Sequence, residues 1–352
     1  MIRAIPFLLA AALAAQPVAE KDRTIDGAER RAAVDGVLKA LEENYVFPEK
    51  AKQMEAAIRE RMGRGEYDSL ASAAEFASRL TEHLQQVSKD KHLRVRHSYD
   101  PIPERSEARR PPTKEEVEEA RQRMARDNFG FERVERLAGN VGYLDLRGFF
   151  PAALGAETAV AAMNLLANSD ALIVDVRKNG GGDPAMVALL SSYLFEDVTH
   201  LNDLYFRPAD STRQWWTLPF VPGKRLAGKP VYVLTSNRTF SAAEEFTYNL
   251  KNLKRATIVG ETTGGGAHPG GMARVSAHFR AFIPSGRAIN PISKTNWEGT
   301  GVAPDVAVNQ EVALKTAHLM AVRKVKEGEK DARLVAQLEG LIRTLEEQGL
   351  RP

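Results

Sequence analysis

Ser241 stands in Thr239-Phe-Ser-Ala-Ala-Glu-Glu245, where a hydroxyl opens an apolar-periodic stretch read as a helix from Ala242 to Leu253. At that place it lies beside backbone amides that lack an intrahelical partner, at the end of a helix that favours negative charge. Two chemistries fit. Ser241-Ala-Ala-Glu244 matches a capping box, in which the serine only satisfies an amide. The same serine becomes a nucleophile if a base removes its proton and a third group orients that base. Upstream, Arg177-Lys-Asn-Gly-Gly-Gly-Asp-Pro184 joins a short apolar run to a second helical stretch. Its three glycines let the backbone approach a ligand with amides exposed. A phosphate loop, an oxyanion hole and a plain tight turn are all compatible with it, although neither Gly-x-x-x-x-Gly-Lys-Ser/Thr nor Gly-x-Gly-x-x-Gly spacing is present. His83, His97, His200, His278 and His318 show no metal-ligand spacing, and no His-Glu-x-x-His occurs, so neither a metal nor another cofactor is expected.

The elements that must position these residues differ along the chain. Residues 26–98 read as a small helical domain, with Ala33, Val37, Leu41 and Tyr45 recurring at spacing four and a short strand, Leu93 to Val95, at its end. Residues 99–130 carry four prolines and a polar stretch, which reads as a linker with one exposed helix. From 131 to 310 the texture becomes short apolar runs between helical stretches. Val141–Leu146, Ala171–Val176, Val231–Leu234 and Thr257–Val259 predict an α/β domain with a mixed sheet covered on both faces. The glycine loop and Ser241 would both follow the carboxyl ends of strands, where open α/β sheets place their sites. Residues 311–352 return to helix.

The residues resemble the C-terminal processing (tail-specific) serine peptidases, in the histidine-base branch that includes tricorn core protease and interphotoreceptor retinoid-binding protein. The resemblance rests on Gly139–Gly148, Asp175–Gly182, Thr239–Glu245, Val259–Gly266 and Asn296–Asp305, in order. It implies a crotonase/Clp-protease-like core and peptide-bond hydrolysis. The lysine of the better-known branch is missing, since that segment here is Thr263-Gly264-Gly265-Gly266-Ala267. By residue-for-residue carry-over the resemblance implies Ser241 as nucleophile, His92 as base and Glu298 as the acid that orients it. The amides of Gly181 and Ala242 would form the oxyanion hole, and His268 is the alternative base. The stretch from Tyr99 to Gly139 is too short for the PDZ domain of many relatives.

Composition narrows the alternatives. The 352 residues carry 49 Lys+Arg against 46 Asp+Glu, and a formal net charge of +3 argues against a nucleic-acid partner. With no cysteine, a thiol nucleophile, a disulfide framework and cysteine-ligated metals are excluded. Residues 1–15 show the charge, apolar and small-residue order of a cleavable secretory signal, too short to span a bilayer, so a periplasmic or secreted protein without a membrane span is expected. The expected partner is a peptide or unfolded protein. A carrier of retinoid-type or fatty-acid-type ligands and an acyl-coenzyme A enzyme of crotonase type are the competing readings of the same fold.

Overall fold

The structure is a computed structural model that describes residues 21–104 and 112–347. The signal-like segment lies outside them. Three helices come first: α1 (Gly27–Asn44), α2 (Pro48–Gly63) and α3 (Ala73–Ser88). Each has a local reason to start. Asp26 and Glu29 close a capping box at α1, proline occupies the first position of α2, and the Ser72 hydroxyl accepts from the Glu75 amide at α3. Next come strand β1 (Arg94–His97) and α4 (Lys114–Arg126), a mostly exposed helix that buries Met124.

The α/β part holds a six-stranded sheet in the order β12-β8-β7-β4-β3-β2. These strands are β2 (Phe131–Leu137), β3 (Val141–Leu146), β4 (Ala171–Asp175), β7 (Val231–Thr235), β8 (Thr257–Gly260) and β12 (Val306–Ala307). All neighbours are parallel except β2, which runs antiparallel to β3. The central strands β4 and β7 are buried along their whole length, as strands covered on both faces should be. One face packs on α5 (Ala152–Leu166), α6 (Pro184–Ser192) and α7 (Ala242–Asn252). The other packs on α8 (Gln310–Gly328) and α9 (Ala332–Glu347), through residues such as Ala313, Ala317 and Leu338.

Two small antiparallel sheets were not foreseen. One joins β5 (His200–Phe206), β6 (Ser211–Trp216) and β11 (Gly286–Ile289). The other places β10 (Phe279–Pro284) between β1 and β9 (Gly270–Arg274), so the α/β part donates a hairpin to the helical part. Phe279, Ala281 and Ile283 sit in the same core as Val37, Phe76 and Leu80. Gly36 on α1 permits close packing here, because a Cβ at that point would fall 1.8 Å from the Val275 carbonyl oxygen. Among the described residues no helix is long and apolar enough to cross a membrane.

Candidate active site

The loops after β4 and β7 meet at the carboxyl edge of the sheet. The Phe240 amide donates to the Asn179 carbonyl and the Thr239 hydroxyl to the Val176 carbonyl, which stitches the segment before Ser241 to the glycine loop. Ser241 adopts φ 56° and ψ −121°, a strained conformation for a residue other than glycine, and α7 starts directly after it. Gly181, at φ 107°, faces it closely. A Cβ on Gly181 would lie 2.7 Å from Ser241 Cβ and 2.9 Å from the Ala242 nitrogen, so only glycine fits there. The structure therefore brings Ser241, Ala242 and Gly181 together. The Gly181 amide itself donates to Asn179 Oδ1 at 2.9 Å.

Glu244 organises this corner. Its fully buried carboxylate accepts from the Ser241 amide at 2.9 Å, the Thr263 hydroxyl at 2.5 Å, the Gly265 amide at 2.6 Å and the Gly266 amide at 2.8 Å. Burial raises its pKa, opposed by these four donors. One carboxylate thus ties the serine to the loop 263–266, which in turn holds the turn carrying Glu298. The Gly299 amide donates to the Gly265 carbonyl and Trp297 Nε1 to the Gly266 carbonyl. Trp297 itself is buried in a small apolar cluster with Leu204, Ala267 and Val302.

His92 lies against Phe240, with ring centroids 4.5 Å apart, and stacks on Phe282 at 5.8 Å. Both ring nitrogens are buried without a hydrogen-bond partner. Burial pushes the pKa of His92 down to about 4, with the nearby Asp90 charge acting in the opposite sense. The ring is therefore neutral near pH 7, the state a general base requires. Its backbone amide donates to Asp90 Oδ1 at 3.0 Å, and Nδ1 stands 3.9 Å from the same oxygen.

Glu298 is not joined to His92. Its Oε2 accepts from the Ala267 amide at 2.5 Å and lies 3.5 Å from His268 Nδ1, while Oε1 is buried without a partner. His268 Nδ1 hydrogen-bonds Asp90 Oδ2 at 2.8 Å, and the Tyr45 hydroxyl donates to that oxygen at 3.2 Å. Burial and the Asp90 charge both raise the pKa of Glu298. Asp90, His268 and Glu298 offer ligand atoms that all lie within 4.8 Å of one another, a grouping that no sequence spacing announces. The 2.8 Å between Asp90 and His268 is a hydrogen bond, shorter than the roughly 3.3 Å that separates two ligands on a tetrahedral zinc ion. The geometry is that of an acid–imidazole–acid network.

Sequence reasoning named Ser241, Ala242, Gly181, His92, Glu298 and His268, but assigned no role to Asp90 and read Glu244 only as part of a capping box. The signal for Glu244 was present in Ser-Ala-Ala-Glu. For Asp90 the only hint was its place two residues before His92.

Two family models match this chain. Residues 140–308 match the peptidase family S41 model, and residues 28–132 match the N-terminal domain of peptidase S41 in eukaryotic IRBP. The chain belongs to peptidase family S41. It is accordingly a serine-type peptidase. Solved structures share the fold. A Parabacteroides merdae protein provisionally described as a peptidase is 21% identical with a TM-score of 0.56, over 80% of this chain and 90% of that one. A lipoprotein from Streptococcus agalactiae is 14% identical with a TM-score of 0.53, over 83% and 95%. Tricorn protease is 15% identical with a TM-score of 0.50, over 90% of this chain and 37% of its own.

Proposed function

We propose that this S41 peptidase hydrolyses peptide bonds with Ser241 as nucleophile and His92 as general base, and that it acts after export. The observation that carries the reading is the corner formed by Ser241 and Gly181, with a buried, neutral, unpartnered imidazole against the residue before the serine. Ser241 Oγ attacks the substrate carbonyl carbon and its proton passes to His92. His92 returns that proton to the leaving amine, and water then releases the acyl group by the same route in reverse. The Ala242 amide, at a first-turn position without an intrahelical acceptor, donates to the tetrahedral oxyanion. The Gly181 amide joins it by exchanging its bond to Asn179.

Glu298 stabilises the imidazolium through the network that includes Asp90 and His268. Asp90 is the carboxylate nearer to His92 in this conformation, so it shares that role. His268 is the alternative base, favoured by its proximity to Glu298. Against it stands the hydrogen bond of its Nδ1 to Asp90, while the imidazole that packs on Phe240 beside Ser241 is His92. Export rests on the order of residue types in 1–15.

Labelling with a fluorophosphonate tests the assignment. Label should be lost in Ser241→Ala and His92→Ala and kept in His268→Ala. Loss in His268→Ala with retention in His92→Ala moves the base to His268, and an unlabelled wild type that also leaves a peptide library uncut overturns the reading.

A further inference from the structure

The small sheet formed by β9, β10 and β1 has an inner face of Val95, Ala281 and Ala273 against the helices. The alternation of strands therefore turns Arg94, Arg96, Arg280, Phe282, Met272 and Arg274 to the other side. The register aligns them in two rows. Arg96 is opposite Arg280, which is opposite Arg274; Arg94 is opposite Phe282, which is opposite Met272. Three like charges side by side on adjacent strands repel one another.

Arg94 Nε donates to the Lys91 carbonyl and Arg274 Nε to the Ile102 carbonyl, and among the described residues little else offsets that repulsion. Among the described residues, the carboxylate that reaches the row is Glu104, exposed and 3.9 Å from Arg274, and none lies within 4 Å of Arg94, Arg96 or Arg280. Arg280 Nε is buried without a partner. Burial and the neighbouring Arg96 both lower the proton affinity of Arg94. Edge strands carry cations to block pairing with other chains, but Arg280 is on the central strand, where no edge needs protection. A groove of about 320 Å³ between α3 and β1, lined in part by Ser78, Thr81 and Arg94, meets the row at Arg96.

We infer that this face docks an acidic segment of the peptide substrate, whose carboxylates pair with Arg96, Arg280 and Arg274. The inference rests on the peptidase reading of the Ser241 and His92 site, because the face leads there. His92 stacks on Phe282, and the arginine row lies two residues farther along β10, about 7 Å away. An extended peptide advances about 3.3 Å per residue. Added to the 5.8 Å between the Phe282 and His92 rings, that spacing places the acidic side chains roughly four residues from His92, with apolar contact to Phe282 and Met272 between.

Binding to Ser241→Ala separates docking from catalysis. The probes are fluorescein-labelled, C-terminally amidated peptides that differ only in a three-residue block of Glu, Gln or Lys, read by anisotropy at low and high salt. The Glu peptide is expected to bind on the order of ten-fold tighter than the Gln peptide, and salt should erode the difference. In Arg96→Glu/Arg280→Glu on the same background the order should invert in favour of the Lys peptide, an outcome that misfolding cannot produce. Equal binding of the Glu and Gln peptides overturns the inference. So does a Gln peptide with a free carboxyl end that matches the Glu peptide, since the row would then read a chain terminus. If the acidic preference appears while wild type cuts none of the three, docking stands and the catalytic assignment fails.

Discussion

At the scale of single residues, Glu244 and His92 carry opposite electrostatic burdens. Glu244 is a buried carboxylate whose four donors come from the serine and from the loop facing it, so its charge holds two segments in register. Glu244→Gln keeps the shape but presents an amino group to donors, leaving buried amides unsatisfied at about 1–3 kcal/mol each. On the proposed role of Ser241, we expect kcat to fall about a hundred-fold with KM little changed, since its displacement costs transition-state contacts more than ground-state binding. Steady-state kinetics on a fluorogenic peptide checks this, and a KM effect equal to the kcat effect would refute it. His92 instead is buried neutral, with a folded pKa near 4 against an ordinary 6.5. A depressed pKa contributes stability that is fully present above pH 6.5 and is lost as pH falls through about 4, because protons then bind the unfolded chain preferentially. The term is on the order of 3 kcal/mol. Denaturant unfolding from pH 7 to 4 should show a shallower loss for His92→Gln than for wild type, and parallel curves would show that the imidazole is solvated.

At the scale of elements, the site depends on how closely α1 approaches the β9–β10 turn. Gly36→Val places branched carbon where the Val275 carbonyl now sits, so α1 and the hairpin must separate. The change is expected to cost about 1–3 kcal/mol and to lower activity, because β10 carries Phe282, on which His92 stacks. A thermal scan with peptidase assays below the transition checks both, and wild-type activity in a clearly destabilised variant would uncouple the hairpin from His92. This hairpin also marks where the sequence stopped being legible. The strands of the large sheet announced themselves as apolar runs such as Ala171–Val176, and the loops after them were placed correctly. Gly270-Gly-Met-Ala-Arg274 has no such run, since two of its five residues are glycine and it is an edge strand paired with β10 alone. Likewise Asp90, His268 and Glu298 come from three distant segments, and only the folded chain makes them neighbours. Ser241 and Gly181 were legible because each sits at a strand-to-helix junction with its own local signature.

At the scale of the whole molecule, the helical part and the α/β part share a sheet, so the chain that bears His92 cannot complete its core from its own residues. Residues 21–104 alone would lack Phe279, Ala281 and Ile283, each fully buried against α1–α3 or β1 in the intact protein, and would leave one side of β1 without its strand partner. Burial of such side chains is worth about 1.5–3 kcal/mol for the larger ones, and the loss of two of them with the β1–β10 ladder approaches the entire stability of a domain that size, about 5–10 kcal/mol. We therefore expect the fragment 21–104 to lack a cooperative melt by circular dichroism, while the full chain couples both parts. Addition of a peptide covering 268–286 should restore helical signal to the fragment in a saturable manner, because it supplies both β9 and β10. A fragment that melts cooperatively without the peptide would mean that the helices hold His92 independently of the α/β part. His92 would then be free to move relative to Ser241 with a rigid domain, instead of being fixed there by the β9–β10 hairpin, which begins two residues after His268 and ends at Pro284, whose carbonyl accepts from the Val46 amide.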